Sequence, residues 1–180
     1  MEQMTITEAL SEVNLVNKKL EHKKKNALTL LVKADHAPDP YANEGGTAEF
    51  LKREFQSIDD LHRRLIKIRS SISKANIENE ITLGNRTQSI HDWLTWKREV
   101  SKPETSFINN VVNNTKSLLD ENSKQPRVYE SADGKKELLK LTPNVDYASF
   151  VKKQEELATL FEQLDGKLSL KNATIVVTIH

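Results

Sequence analysis

The 180-residue chain is 37% hydrophobic and 6% aromatic, low for a compact globule of this length, so an elongated helical architecture with thin apolar seams is expected. Its 27 Lys and Arg nearly balance 26 Asp and Glu, which excludes a global field that would gather nucleic acid or an anionic membrane surface. The absence of cysteine excludes disulfides, thiolate metal sites and thiol nucleophiles, and suits a reducing compartment.

No apolar run approaches the ~20 residues of a membrane span, and Met1-Glu2-Gln3 opens on an acid, so neither a signal peptide nor a transmembrane helix is expected. Thr5-Ile6-Thr7-Glu8 has the form of a capping box and places the start of a first helix. Its stripe runs Ile6, Leu10, Val13, Asn17, Leu20, Lys24, Ala27, Leu31, interrupted at Asn17 and Lys24. Polar residues there either fix the register of a coiled coil or mark a helix that is only partly buried. The segment 36–46 holds Pro38, Pro40, Gly45 and Gly46 and is expected to be the loop of an antiparallel hairpin, pinned by Tyr41. Thr47 is expected to cap the second helix. That helix carries the strongest pattern in the chain: Leu51, Phe55, Ile58, Leu61, Leu65, Ile68, Ile72 and Ala75 alternate by threes and fours and form one stripe that must be buried.

After Ala75 the period fades, and Gly84-Asn85 is expected to lie in a connector. Thr87 or Ser89 caps a third helix, Ser89 having Asp92 three residues on, and this helix carries Trp93 and Trp96. Two large side chains so close are expected either to anchor a partner subunit or to plug the open end of the hairpin. Pro103 breaks this helix or opens a fourth, marked by Phe107, Ile108, Val111, Val112, Leu118 and Leu119 and ended by 122–126. The period then changes to two over Arg127–Leu141, with Asp133-Gly134 as a hairpin turn. A last helix follows, capped at its C-terminus by Gly166. The β-branched run 173–179 is expected to join the hairpin as a further strand, because an unpaired edge of that composition aggregates.

The expected fold class is mainly α (α+β). A long antiparallel, coiled-coil-like helical hairpin occupies residues 1–84. A smaller α+β part occupies 85–180, with the β-hairpin at 127–141, a helix at 145–165 and the C-terminal strand at 173–179 in one small antiparallel sheet.

Chemistry-bearing patterns are sparse. His22, His36, His62, His91 and His180 are scattered, and none lies three or four residues from another as chelation from one helix requires. No Gly-x-Ser-x-Gly elbow occurs, and the neighbouring acids Glu155-Glu156 and Asp59-Asp60 point different ways around a helix. None of the five glycines forms a phosphate cradle. No enzymatic activity, metal or cofactor is therefore expected. Two basic clusters, Lys23, Lys24 and Lys25 on the first helix and Arg63 and Arg64 on the second, could meet at similar heights and contact phosphate. Ordinary solvated helix faces are the favoured reading, because no aromatics interleave them.

Thr7-Glu8-Ala9-Leu10, Ala75-Asn76 and Gly84-Asn85-Arg86-Thr87 are similar to segments of a group of small, largely uncharacterised bacterial and phage proteins, some labelled septicolysin-like. The likeness spans residues 5–100, and Trp93-Leu94-Thr95-Trp96-Lys97-Arg98 resembles segments of phage-encoded proteins. It implies a helical hairpin and supplies no catalytic residue. The cytolysin label finds no amphipathic inserting segment beyond the core stripes.

The expected function is a non-enzymatic structural or assembly protein, a bacteriophage virion component made in the cytoplasm of the producing cell. It would work as an oligomer through helix and strand contacts, with Trp93, Trp96, Ile58, Leu61, Leu65, Ile175 and Val177 as candidate contacts. The alternative is a nucleic-acid-associated module using Lys23, Lys24, Lys25, Arg63 and Arg64. Protein subunits are the favoured partners, ahead of nucleic acid, and no membrane is expected.

Overall fold

A computed structural model describes residues 1–34 and 36–180. The elements in chain order are β1 (Glu2–Thr5), α1 (Ile6–Thr29), α2 (Thr47–Glu78), β2 (Glu80–Leu83), β3 (Arg86–Ser89), α3 (Ile90–Thr95), α4 (Ser101–Lys124), β4 (Val128–Glu130), β5 (Lys136–Leu138), α5 (Tyr147–Thr174) and β6 (Val176–Ile179). The protein is mainly α, with three two-stranded sheets, β1–β6, β2–β3 and β4–β5. It divides into two compact units, Met1–Glu80 with Leu168–His180, and Ile81–Lys167. The last thirteen residues, expected in the second part, therefore belong with the helical hairpin.

In the first unit, α1 opens on the expected capping box. The Glu8 amide donates to Thr5 Oγ1 at 3.2 Å, and the Thr5 amide donates to the Glu8 carboxylate at 2.7 Å. The buried face of α1 is Ile6, Ala9, Val13, Val16, Leu20 and Ala27. This corrects the expected stripe: Ala9 and Val16 take the seam, while Leu10 is 41% exposed. The steps of three and four then run unbroken from Ile6 to Leu20, and Lys23, paired with Glu54, stands between Leu20 and Ala27. On α2 the seam is Ile58, Ile68, Ile72 and Ala75, with Leu61 and Leu65 partly buried beside it. Phe55, expected in the seam, stands outside it. Glu54 lies at that level instead and accepts from Lys23 Nζ at 2.7 Å. The hairpin seam thus closes on an ion pair near its tip and on aliphatic packing elsewhere.

The loop is fastened by Asp39. Its carboxylate accepts from the Tyr41 amide at 2.9 Å and from the Thr47 amide and hydroxyl at 3.0 and 2.6 Å. Thr47 is thus the first residue of α2 rather than its cap, and Asp39 supplies the capping oxygen from eight residues upstream. Tyr41 stacks on Phe50 with centroids 3.9 Å apart.

The C-terminal strand does not join the β4–β5 hairpin. β6 pairs antiparallel with β1, Glu2 opposite Ile179 and Thr5 opposite Val176. This register places Val177 and Ile179 in one cluster with Ile6, Ala9, Val13, Ile68, Ile72 and Ala75. Burial of these two side chains against the hairpin decides the pairing, and Ser71 Oγ donates to the Thr178 carbonyl at 2.9 Å.

In the second unit, Gly84-Asn85 is the two-residue turn of the β2–β3 pair rather than part of a connector, with Gly84 at φ +55°. Ser89 caps α3 as expected, its Oγ accepting from the Asp92 amide at 3.0 Å. The winding continues through a π-turn, Trp96–Val100, where the Ser101 amide bonds to the Trp96 carbonyl, and then into α4. Of the two expected roles, Pro103 therefore takes the second, at the opening of the fourth helix, and does not end the third. It lies in the first turn of α4, beside a ladder already offset by the π-turn. Ile108 and Val112 of α4 pack with Leu157 of α5, flanked by Trp96, Phe150 and Leu160. Gly166 is no cap: α5 runs on to Thr174, with Leu164 and Leu168 both buried on either side of it. The β4–β5 hairpin forms as expected, with Gly134 at φ +73° in its turn.

Candidate partner interface

Three kinds of surface were expected to carry function. The structure separates them by burial and by charge pairing.

The tryptophans belong to the interior of the second unit. Trp93 is 1% exposed and its Nε1 donates to the Ile81 carbonyl at 2.9 Å. It meets Trp96 edge to face at 5.9 Å, and Trp96 in turn packs on Phe161 at 5.1 Å and donates to Glu104 at 3.3 Å. Trp93 is thus no surface anchor, and Trp96 is a half-buried member of the same core. Ile58 and Val177 are likewise buried, and Leu61, Leu65 and Ile175 are packed against the clusters those two belong to. These five residues hold the hairpin and the β1–β6 pair together.

The basic clusters are partly spent within the chain. Lys23 is held by Glu54, and Arg64 donates to Glu12 at 2.7 Å and also to Glu2. The bonds that Arg64 donates to Glu12 hold its guanidinium above its usual pKa, so its charge is fixed and already paired. Arg63 lies 3.5 Å from Asp60. Lys24 and Lys25 are exposed, but the two clusters do not meet at one height as expected: Lys23 faces Glu54 whereas Arg64 faces Glu12, which sets the clusters about 16 Å apart along the hairpin.

Near the tip of the hairpin a groove of about 320 Å³ opens between α1 and α2, lined by Lys24, Ala27, Leu28, Leu31, Phe55 and Ile58. Leu28 is 68% exposed and Leu31 53%. Only Lys24 breaks this apolar lining. The groove arises from the seam itself: near the level of the Lys23–Glu54 pair, Leu28 of α1, Leu31 just past its end and Phe55 of α2 are left outside. Aliphatic side chains grouped in this way on two elements are what protein partners cover. Among the described residues, no three His, Asp or Glu side chains gather as metal ligands.

No family model matches the chain, and no curated protein matches its sequence. The fold is similar to that of a functionally unknown conserved protein from Corynebacterium diphtheriae, known from a crystal structure. The two are 17% identical, with 98% of this chain and 100% of that one covered at a TM-score of 0.46. A likeness at that level assigns no role to any residue.

Sequence reasoning missed Leu28 as a surface residue and placed Phe55 in the seam. The available signal was the mate of each stripe: with Val16 rather than Asn17 and Glu54 rather than Phe55 facing inward, both seams keep their three-four steps, and Leu28 and Phe55 turn outward.

Proposed function

We propose that this chain is a non-enzymatic structural or assembly protein that works by docking other protein subunits on its helical hairpin. The observation that carries the reading is the apolar groove of Leu28, Leu31 and Phe55, exposed side by side on a chain otherwise rich in charge. A bacteriophage particle is the proposed setting, on the strength of the sequence likeness to phage-encoded proteins over Trp93–Arg98. Among the described residues no helix is long and apolar enough to cross a membrane. A nucleic-acid role through Lys24, Lys25 and Arg63 is the weaker reading, because Lys23 and Arg64 are already paired with carboxylates.

Mass spectrometry of purified particles, with the wild-type chain and Leu28→Asp compared, tests the docking reading. The wild type is expected in the particle and the variant lost from it, with unchanged circular dichroism because Leu28 is exposed. A chain that stays a compact monomer and never enters a larger assembly overturns it.

A further inference from the structure

Three exposed apolar residues of α2 stand outside the seam that faces α1: Phe55 at 47%, Ile66 at 68% and Ile77 at 58% exposure. Each is eleven residues from the next. At 3.6 residues per turn that interval is about three turns, so the three side chains fall nearly on one line, about 16 Å apart along the helix. The intervening positions on that line are polar, Asp59, His62, Ser70 and Ser73. A single stray isoleucine on a surface needs no explanation, but an evenly spaced row along a helix of 32 residues is a seam without a mate.

The spacing is self-complementary. If a second α2 is laid antiparallel with a two-fold axis at the central residue, Ile66 meets Ile66, and Phe55 of each copy meets Ile77 of the other. The charges favour the same direction. With Glu54 and Arg64 already paired to α1, the N-terminal half of α2, Thr47–His62, keeps three other acids and two Lys or Arg, whereas Arg63–Glu78 keeps four Lys or Arg and one acid. Antiparallel copies bring the acidic half of one beside the basic half of the other, and parallel copies would set like halves together. Phe55 also borders the groove with Leu28 and Leu31, so the copy's Ile77 would arrive beside preformed apolar surface.

We infer that the occupant of this face is a second copy of the chain, paired antiparallel along α2 about a two-fold axis at Ile66. The inference rests on the docking reading above and names one partner for it. The pairing leaves the Leu28 and Leu31 side of the groove on each copy for further subunits.

Because the chain has no cysteine, single introduced thiols report the pairing directly. In the full chain at micromolar concentration, Ile66→Cys is expected to give a disulfide-linked dimer on oxidation. Phe55→Cys and Ile77→Cys are each expected to stay uncross-linked alone, since each lies about 33 Å of helix from its own counterpart, and to cross-link when mixed. Ile66→Asp, with helicity checked by circular dichroism, is expected to halve the mass measured by sedimentation equilibrium. Cross-linking of Phe55→Cys or Ile77→Cys alone as efficient as in the mixture overturns the antiparallel geometry. Absence of product from both Ile66→Cys and the mixture, with wild type sedimenting at 20.5 kDa, overturns self-pairing altogether. If such a monomeric chain is still recovered in a larger particle, self-pairing alone has failed and the assembly reading stands.

Discussion

Asp39 ties the loop to the first turn of α2 by accepting three hydrogen bonds from Thr47 and Tyr41. The bonds from Thr47, hydroxyl then amide, are the main reason its pKa falls from the usual 3.8 to about 2, with the Tyr41 amide adding to them. A depressed carboxylate contributes stability that is complete above its unfolded value and is lost as pH falls through the folded one. Glu8, lowered by its bonds with Thr5, acts in the same direction. An acid titration followed by circular dichroism is therefore expected to lose stability between about pH 4 and about pH 2, and Asp39→Asn is expected to flatten part of that slope. Trp93 makes a second residue-scale point. Replacing it by Phe removes the donor to the Ile81 carbonyl, and a buried acceptor left without a partner costs roughly 1–3 kcal/mol, measurable by urea unfolding. The sequence marks Trp93 as important, yet burial and surface anchoring leave the same trace in composition, and only the position of Ile81 decides between them.

Among the elements, α5 departs most from its pattern. Gly166 after a run of apolar residues is the usual mark of a helix end, but here it lies inside the helix and outside the left-handed region, and a methyl group added at its Cα would meet no neighbouring atom within 4 Å. Gly166→Ala is accordingly expected to stabilise the protein by about 0.5–1 kcal/mol in thermal unfolding, whereas a true C-cap would be destabilised by the same change. The strands are legible to different degrees. β4 and β5 follow from alternation around Asp133-Gly134, and β6 from its β-branched run. β1 is not legible, because Glu2-Gln3-Met4-Thr5 carries no strand signal of its own and takes its conformation from pairing with β6. The α1–α2 hairpin is legible as a hairpin with most of its seam, and it differs from the expected one where Ala9, Val16 and Glu54 replace Leu10, Asn17 and Phe55. A stripe of mixed Leu, Asn and Lys fits two neighbouring faces of a helix equally well, and the choice is made by the partner helix: the Lys23–Glu54 and Arg64–Glu12 pairs lock the face that buries Ala9 and Val16.

For the molecule as a whole, the contrast is between cores that are complete and a hairpin surface that is not. The cluster around Ile6, Ile68 and Val177 and the one around Ile108 and Leu157 are closed within their own units. Leu28, Phe55, Ile66 and Ile77 are left outside on the two helices of the hairpin, with Leu31 just past the end of α1. Covering such residues is the physical basis of the proposed association. The proposed role of this chain is association with other protein subunits through its hairpin. Sedimentation velocity of the purified chain across a range of concentrations, together with a search for it in purified particles, tests that claim most directly. The expected result is a species heavier than 20.5 kDa that Ile66→Asp dissociates, and a chain that Leu28→Asp removes from larger particles. A single species of 20.5 kDa at every concentration, absent from any larger particle, would contradict it.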